Sequence, residues 1–99
     1  MPYIVYWTEN ASQGLERVYL FLAEKSEEAA VAALKAVREK ALLLERFPNA
    51  GRPTDDLDPE HRELLIPFGG AGYVLIYSVV GKTVCILAVK HQKETGYWF

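Results

Sequence analysis

Hydrophobic and polar positions along the chain change their period several times. The opening stretch PYIVYW is dense in β-branched and aromatic residues and apolar on both faces, which predicts a strand with neighbours on both sides. From residue 9 to about 24 the spacing turns helical: Ala11, Leu15, Val18 and Leu22 recur on one side, with Tyr19 and Phe21 beside them. Thr8 stands where an N-cap is needed, and Gly14 is a mild weakness inside the helix. A second helix starts after Ser26, with Glu27 and Glu28 at its positive end. Its stripe is Ala30, Leu34, Val37, Ala41 and Leu44, and Lys35 and Glu39 lie one turn apart on the solvent side. Pro48 forbids continuation. So short a connection predicts an antiparallel helical hairpin.

PNAGRPTDDLDPEH reads as a loop from its prolines, glycine and aspartates. Three strands follow: RELLIPF, YVLIYSVV and TVCILAVKH. Pro67 cannot donate to a ladder, which puts its strand at an edge or leaves it paired on one side there. GGAG makes the first turn, and Gly81-Lys82 suits a two-residue type II′ hairpin. The expected fold is α+β, ordered β-α-α-β-β-β: an antiparallel meander, an N-terminal strand added to it, and a helical hairpin over one face.

A regular hairpin at Gly81-Lys82 fixes a register. With Val80 opposite Thr83, Tyr73 opposes Lys90 and Gly72 lies level with His91. Leu75, Tyr77, Val79, Val84, Ile86, Ala88 and Lys90 then share one face, and Val74, Ile76, Ser78, Val80, Cys85, Leu87, Val89 and His91 the other. Both faces are largely apolar, yet two helices cover only one. The loop, the tail, a homodimer or a dedicated partner must shield the rest.

Composition narrows the classes. A chain of 99 residues, 51% hydrophobic and 24% charged, reads as one globular domain spanning 1–99. No apolar run approaches membrane-spanning length and no signal-peptide pattern appears, so a soluble cytoplasmic protein is expected. The single cysteine, Cys85, excludes an internal disulfide and reads as a buried thiol. No metal-ligand spacing surrounds His91, and no metal or cofactor is expected. The net charge of −2 argues against a general nucleic-acid binder. Charge is uneven, however. Residues 1–60 hold seven Lys/Arg against eleven Asp/Glu (−4), and residues 61–99 four against two (+2).

RFPNAGRP, RELLIPFGGAGYVLIY and ILAVKHQKETGY, in this order after two helices, resemble the RelE/ParE superfamily of bacterial toxins. The likeness runs from Tyr3 to Tyr97. It implies the toxin of a type II toxin–antitoxin operon, a class tied to plasmid stabilization and neutralised by a cognate antitoxin. The superfamily has two activities. ParE-like members poison DNA gyrase by trapping its cleaved DNA complex. RelE-like members are ribosome-dependent messenger-RNA endonucleases that use converging Arg/Lys and a late tyrosine, one arginine directly following the Gly-Tyr that opens the middle strand. Here that position is Val74. In the regular register Val74 lies beside Val89, with Leu65 and Ile76 near and His91 the one titratable group on that face, while Arg62 is about seven strand residues, or roughly 20 Å, from His91. Gyrase poisoning is therefore the favoured reading, with no catalytic residue. For a ribonuclease the candidates are His91, Lys93, Tyr97 and Arg62, and an inert interaction domain of the same fold is a third class. Target binding falls to the basic-aromatic tail, Lys90, His91, Lys93, Tyr97 and Trp98, and antitoxin binding to Val74, Ile76 and Val89. Structural readings stand beside these: Arg52 and Arg62 as anchors pairing with Asp55, Asp56, Asp58 or Glu63, His91 as a hydrogen-bonded strand-end residue, and Tyr73 and Tyr77 as core aromatics with hydroxyls at the rim.

Overall fold

The computed structural model describes residues 2–54 and 60–92, and Ala71 by its backbone alone. Strand β1 (Ile4–Trp7) leads into helices α1 (Glu9–Ala23) and α2 (Glu27–Leu43), followed by β2 (Arg52–Pro53), β3 (His61–Phe68), β4 (Ala71–Val80) and β5 (Thr83–His91). The sheet order is β1-β5-β4-β3-β2. The meander is antiparallel, and β1 joins it parallel to β5. The order β-α-α-β-β-β thus holds, in a mixed sheet with a two-residue strand added at one edge.

Both helices start where their caps stand. The Thr8 hydroxyl accepts from the Ala11 N–H, and the Ser26 hydroxyl from the Ala29 N–H. The apolar stripe buries Ala11, Leu15, Val18, Ala33, Val37, Ala41 and Leu44 against Leu64, Ile66, Leu75, Tyr77, Val84 and Ile86 of the sheet. Gly14 has a positive role: a Cβ there would meet the Val89 carbonyl oxygen at 2.7 Å, so the missing side chain lets α1 lie directly on β5. Gly81 has φ 59° and Lys82 is not at positive φ, which is the type II′ pattern. Pro67 pairs with Gly72 on one side, while β2 reaches only Arg62 and Glu63, so among the described residues no strand lies beside β3 at Pro67 on its other side.

Strand β1 departs from expectation. It is an edge strand, and Ile4 (65% exposed) and Tyr6 (56%) face away from the helices. Its apolar character on both sides reflects Val5 and Trp7 packed toward the core and two exposed residues, not burial between two neighbours.

The larger departure is in β5. The hairpin begins as expected, Val80 opposite Thr83 and Tyr77 opposite Ile86, but Ile76 then pairs with Ala88. Leu87 is the extra residue of a β-bulge. Beyond it every partner shifts by one: Leu75 faces Val89, Val74 faces Lys90 and Tyr73 faces His91. The side chains decide this. A straight ladder would turn Lys90 under the helices and Val89 out of the core, losing about 2 kcal/mol of Val burial and desolvating an ammonium group. The bulge sits where β1 ends and α1 begins. There Thr8 donates its hydroxyl to the Ile86 carbonyl (2.7 Å) and Asn10 its side-chain amide to the Leu87 carbonyl (2.9 Å).

Candidate functional site

The sheet face opposite the helices is laid out in cross-strand rows. Arg52, Glu63, Ile76 and Ala88 form one row, and Leu65, Val74 and Lys90 the next. Val74, Ile76 and Ala88 form a small buried cluster of their own with Leu87 packed against it. Expectation placed Val89 and His91 on this face and Lys90 on the other, and the bulge reverses all three. Val89 belongs to the core under the helices. His91 lies on the helix side, its ring edge-on to Tyr73 at 5.5 Å. Lys90 is on the outer face opposite Val74, with only 7% of its surface exposed. Consecutive residues of the expected target-binding set therefore point to opposite sides of the sheet. The set Val74, Ile76 and Val89 is likewise split. Its two outer-face members are buried, Ile76 completely, so they do not form the bare apolar surface that a face left uncovered by the helices implied. Cys85 is half-buried on the outer face between Tyr6 and Ser78.

Among the proposed ribonuclease groups, Arg62 is on the helix side opposite Tyr77 and donates to the Gly51 carbonyl at 2.7 Å. His91, opposite Tyr73, lies four β4 residues away from it, roughly 13 Å along the sheet and two strand spacings of ~5 Å across. The pair shares a side but does not converge. Lys93, Tyr97 and Trp98 lie outside the described residues, as do Asp55, Asp56 and Asp58.

The Gly-Arg-Pro loop is a built structure. Tyr77 is fully buried. Its hydroxyl accepts from the Gly51 N–H (2.9 Å) and donates to the Pro48 carbonyl (2.8 Å). A Cβ on Gly51 would meet the Glu63 carbonyl oxygen at 2.6 Å and the Tyr77 ring and hydroxyl at 2.8 Å, which is why only glycine fits. The Arg52 Nε donates to the Glu63 carboxylate at 2.7 Å. Both arginines are thus anchors, Arg52 on the expected carboxylate and Arg62 on a backbone carbonyl. Burial raises the pKa of Tyr77 above the usual tyrosine value, against opposing effects of the Gly51 hydrogen bond and the nearby Arg62 charge. Burial raises that of Tyr73 as well.

Sequence periodicity missed a groove between the hairpin and β1. It is about 390 Å³, with Trp7, Leu15 and Leu34 apolar and Glu16 and Arg38 among its polar residues. Leu34 was assigned to the buried stripe, and its partial exposure in this groove is the difference. No helix of the described residues is long and apolar enough to cross a membrane.

Two helices on a five-stranded sheet in this order, with the pinned Gly-Arg-Pro loop, can be compared with known proteins. The family described as ParE toxin of type II toxin–antitoxin system, parDE, matches residues 5–96. The chain belongs to this family. It is similar to Toxin RelE1 of Caulobacter vibrioides, 33% identical over 95 residues that span 95% of this chain and 98% of that protein. Among solved structures it resembles the RelBE2 toxin–antitoxin complex of Mycobacterium tuberculosis, with TM-score 0.63, 27% identity, and coverage of 93% of this chain and 100% of that one. The chromosomal ParDE system of P. aeruginosa shares its fold, with TM-score 0.71, 23% identity, and coverage of 90% and 95%. This ParE-family chain is thus a toxin of a type II toxin–antitoxin system. Its RelE/ParE fold is the one expected from the motifs in Sequence analysis.

Proposed function

We propose that this ParE-family toxin arrests growth in the cytoplasm by poisoning DNA gyrase, performs no chemistry of its own, and is neutralised by a cognate antitoxin. The observation that carries the reading is the outer face around Val74. Where RelE-like toxins resemble one another in placing an arginine, this chain has a valine, ringed by Leu65, Ile76 and Ala88. Arg62 and His91 are turned to the helix side, against Gly51 and Tyr73. Cleavage of RNA needs a base for the 2′-hydroxyl, an acid for the leaving oxygen and a cation for the phosphate, all converging on one centre. Around Val74 the described residues supply an apolar floor with one cation, Lys90, and His91 is turned away from it. An antitoxin partner is supported by the family and by the toxin–antitoxin complex among the similar structures.

Ribosome-dependent cleavage of messenger RNA is the second reading, and one observation favours it. The bulge brings Lys90 onto the outer face directly opposite Val74, so a cation does stand beside the position that lacks the arginine. The two readings separate in induced cells. Gyrase poisoning gives filamentation and an SOS response with transcripts intact. Early, codon-dependent cleavage of ribosome-bound transcripts without SOS induction supports the second reading and refutes the first.

A further inference from the structure

A bulge takes one residue out of its ladder and leaves the main-chain groups of that residue to find partners elsewhere. For Leu87 the next residue of a longer β1 would serve, but β1 ends at Trp7, opposite Ile86. The start of α1 takes its place. The Thr8 N–H and hydroxyl both donate to the Ile86 carbonyl, at 3.1 and 2.7 Å. The Asn10 side-chain amide donates to the Leu87 carbonyl at 2.9 Å. One turn on, the missing side chain of Gly14 admits the Val89 carbonyl. Thr8 is also the N-cap of α1, so its residue type has a helical reason. Asn10 stands inside the first turn, where asparagine is a poorer helix former than alanine. The Leu87 carbonyl supplies the reason for an amide there.

Ile86 and Val89 both face the helices, which strict alternation forbids, so burial demands one extra residue between them. Burial does not choose between Leu87 and Ala88, since both are apolar. The hydrogen bond from Asn10 chooses: it holds Leu87 out of the ladder and leaves Ala88 to pair with Ile76. From there the backbone runs to Lys90, opposite Val74. Lys90 is nearly buried, so its place follows from the course of this backbone and not from the reach of a surface side chain. We infer that Asn10 is a positioning residue of the target-binding face. It acts through the Leu87 bulge on Lys90, and Lys90, not His91, is the cation that this face sets beside Val74 for the target. This deepens the gyrase reading given above and rests on it.

Asn10→Asp tests the assignment. It keeps the size of the side chain, suits a helix N-terminus, and replaces the donor with an acceptor facing the Leu87 carbonyl. The readouts are the toxin concentration giving half-maximal linear plasmid with purified gyrase, and NMR contacts between Lys90 and Val74 in the folded chain. Asn10→Asp should raise that concentration about tenfold, as expected for one broken hydrogen bond, and weaken the Lys90–Val74 contacts. Deleting Leu87 removes the extra residue, and a straight ladder then keeps Val89 in the core and Lys90 opposite Val74. In that background Asn10→Asp should change potency by less than about twofold. Lys90→Gln, which leaves the bulge untouched, should lose as much potency as Asn10→Asp, and the double variant no more than either. Equal losses with and without Leu87, or additive losses in the double variant, show that Asn10 serves the helix alone and overturn the assignment. Unchanged potency or unchanged Lys90–Val74 contacts in Asn10→Asp overturn it too. A parent toxin that yields no linear plasmid overturns the gyrase reading, while the NMR contacts still decide whether Asn10 places Lys90.

Discussion

The two edges of this sheet are built in opposite ways. At the β2–β3 edge the chain is fastened by hydrogen bonds from Tyr77, Arg62 and Arg52, and it carries Pro53 and Pro67 where a further strand would need donors. Strand β1 itself carries no charged residue, with Lys82 lying 5.0 Å over the Tyr3 ring beside it, Ile4 and Tyr6 are exposed, and among the described residues one carbonyl from the end of α2 covers Tyr3. The guarded edge holds the family's Gly-Arg-Pro loop in one shape, so its residues act on stability. Those of the open edge make few internal contacts, so substitutions there should act on association. That division can be broken by substitution.

The largest effect belongs to Gly51→Ala. Its Cβ would sit 2.6 Å from a backbone carbonyl that the sheet holds in place. Overpacking against immovable backbone should cost about 3 kcal/mol, read as a drop in the urea midpoint. Tyr77→Phe follows. It leaves the Gly51 N–H and the Pro48 carbonyl without their partner, for a loss of about 2 kcal/mol. The same variant should alter the alkaline limb of the stability curve. The Tyr77 pKa is raised above its ordinary 10.0 in the fold, so its contribution is complete below that pH. It is lost as pH rises above 10.0, because the unfolded chain releases the proton first. Tyr77→Phe should therefore flatten the fall in stability above pH 10, leaving the parts due to Tyr73, raised by burial, and Tyr19, raised by its hydrogen bond to Glu27. A variant with an unchanged alkaline slope would show that the hydroxyl is not held as described.

Smaller still is Arg52→Ala. The guanidinium is largely exposed although its bond to Glu63 is short, so solvent screening holds the loss to about 0.5 kcal/mol. Last comes Tyr6→Lys at the open edge, which should shift the midpoint by no more than ~0.5 kcal/mol. A Tyr6→Lys protein as unstable as Tyr77→Phe would erase the contrast between the edges.

Most of the fold was legible because local and global signals agree. Thr8 and Ser26 cap the helices they precede, the stripes bury as spaced except at the partly buried Leu22 and Leu34, and Gly81 turns the hairpin. The Gly-Arg-Pro and Gly-Tyr motifs identified the superfamily, and Lys35 pairs with Glu39 on the solvent side. The second half of β5 was not legible in the same way. Alternation locates a strand's faces only when one is polar, and ILAV is apolar at every position, so a one-residue bulge leaves no mark in the periodicity. One clue was present. A straight ladder drives Lys90 under the helices, and that conflict is relieved only by an extra residue before it. The error carried into the candidate site, because exchanging Lys90 for His91 and Val89 changes which groups stand beside Val74. The β1 edge was misread for a related reason: apolar residues on both faces describe a central strand and an unguarded edge equally well.

Gyrase, and not RNA, is the target proposed for this toxin. Purified toxin, gyrase, ATP and supercoiled plasmid, stopped with detergent and protease, test it most directly. Gyrase poisoning predicts linear plasmid that accumulates only when toxin and gyrase are both present, and that disappears when the antitoxin is added first. Plasmid left uncut by gyrase at saturating toxin, with the same preparation cleaving messenger RNA on ribosomes, would contradict it.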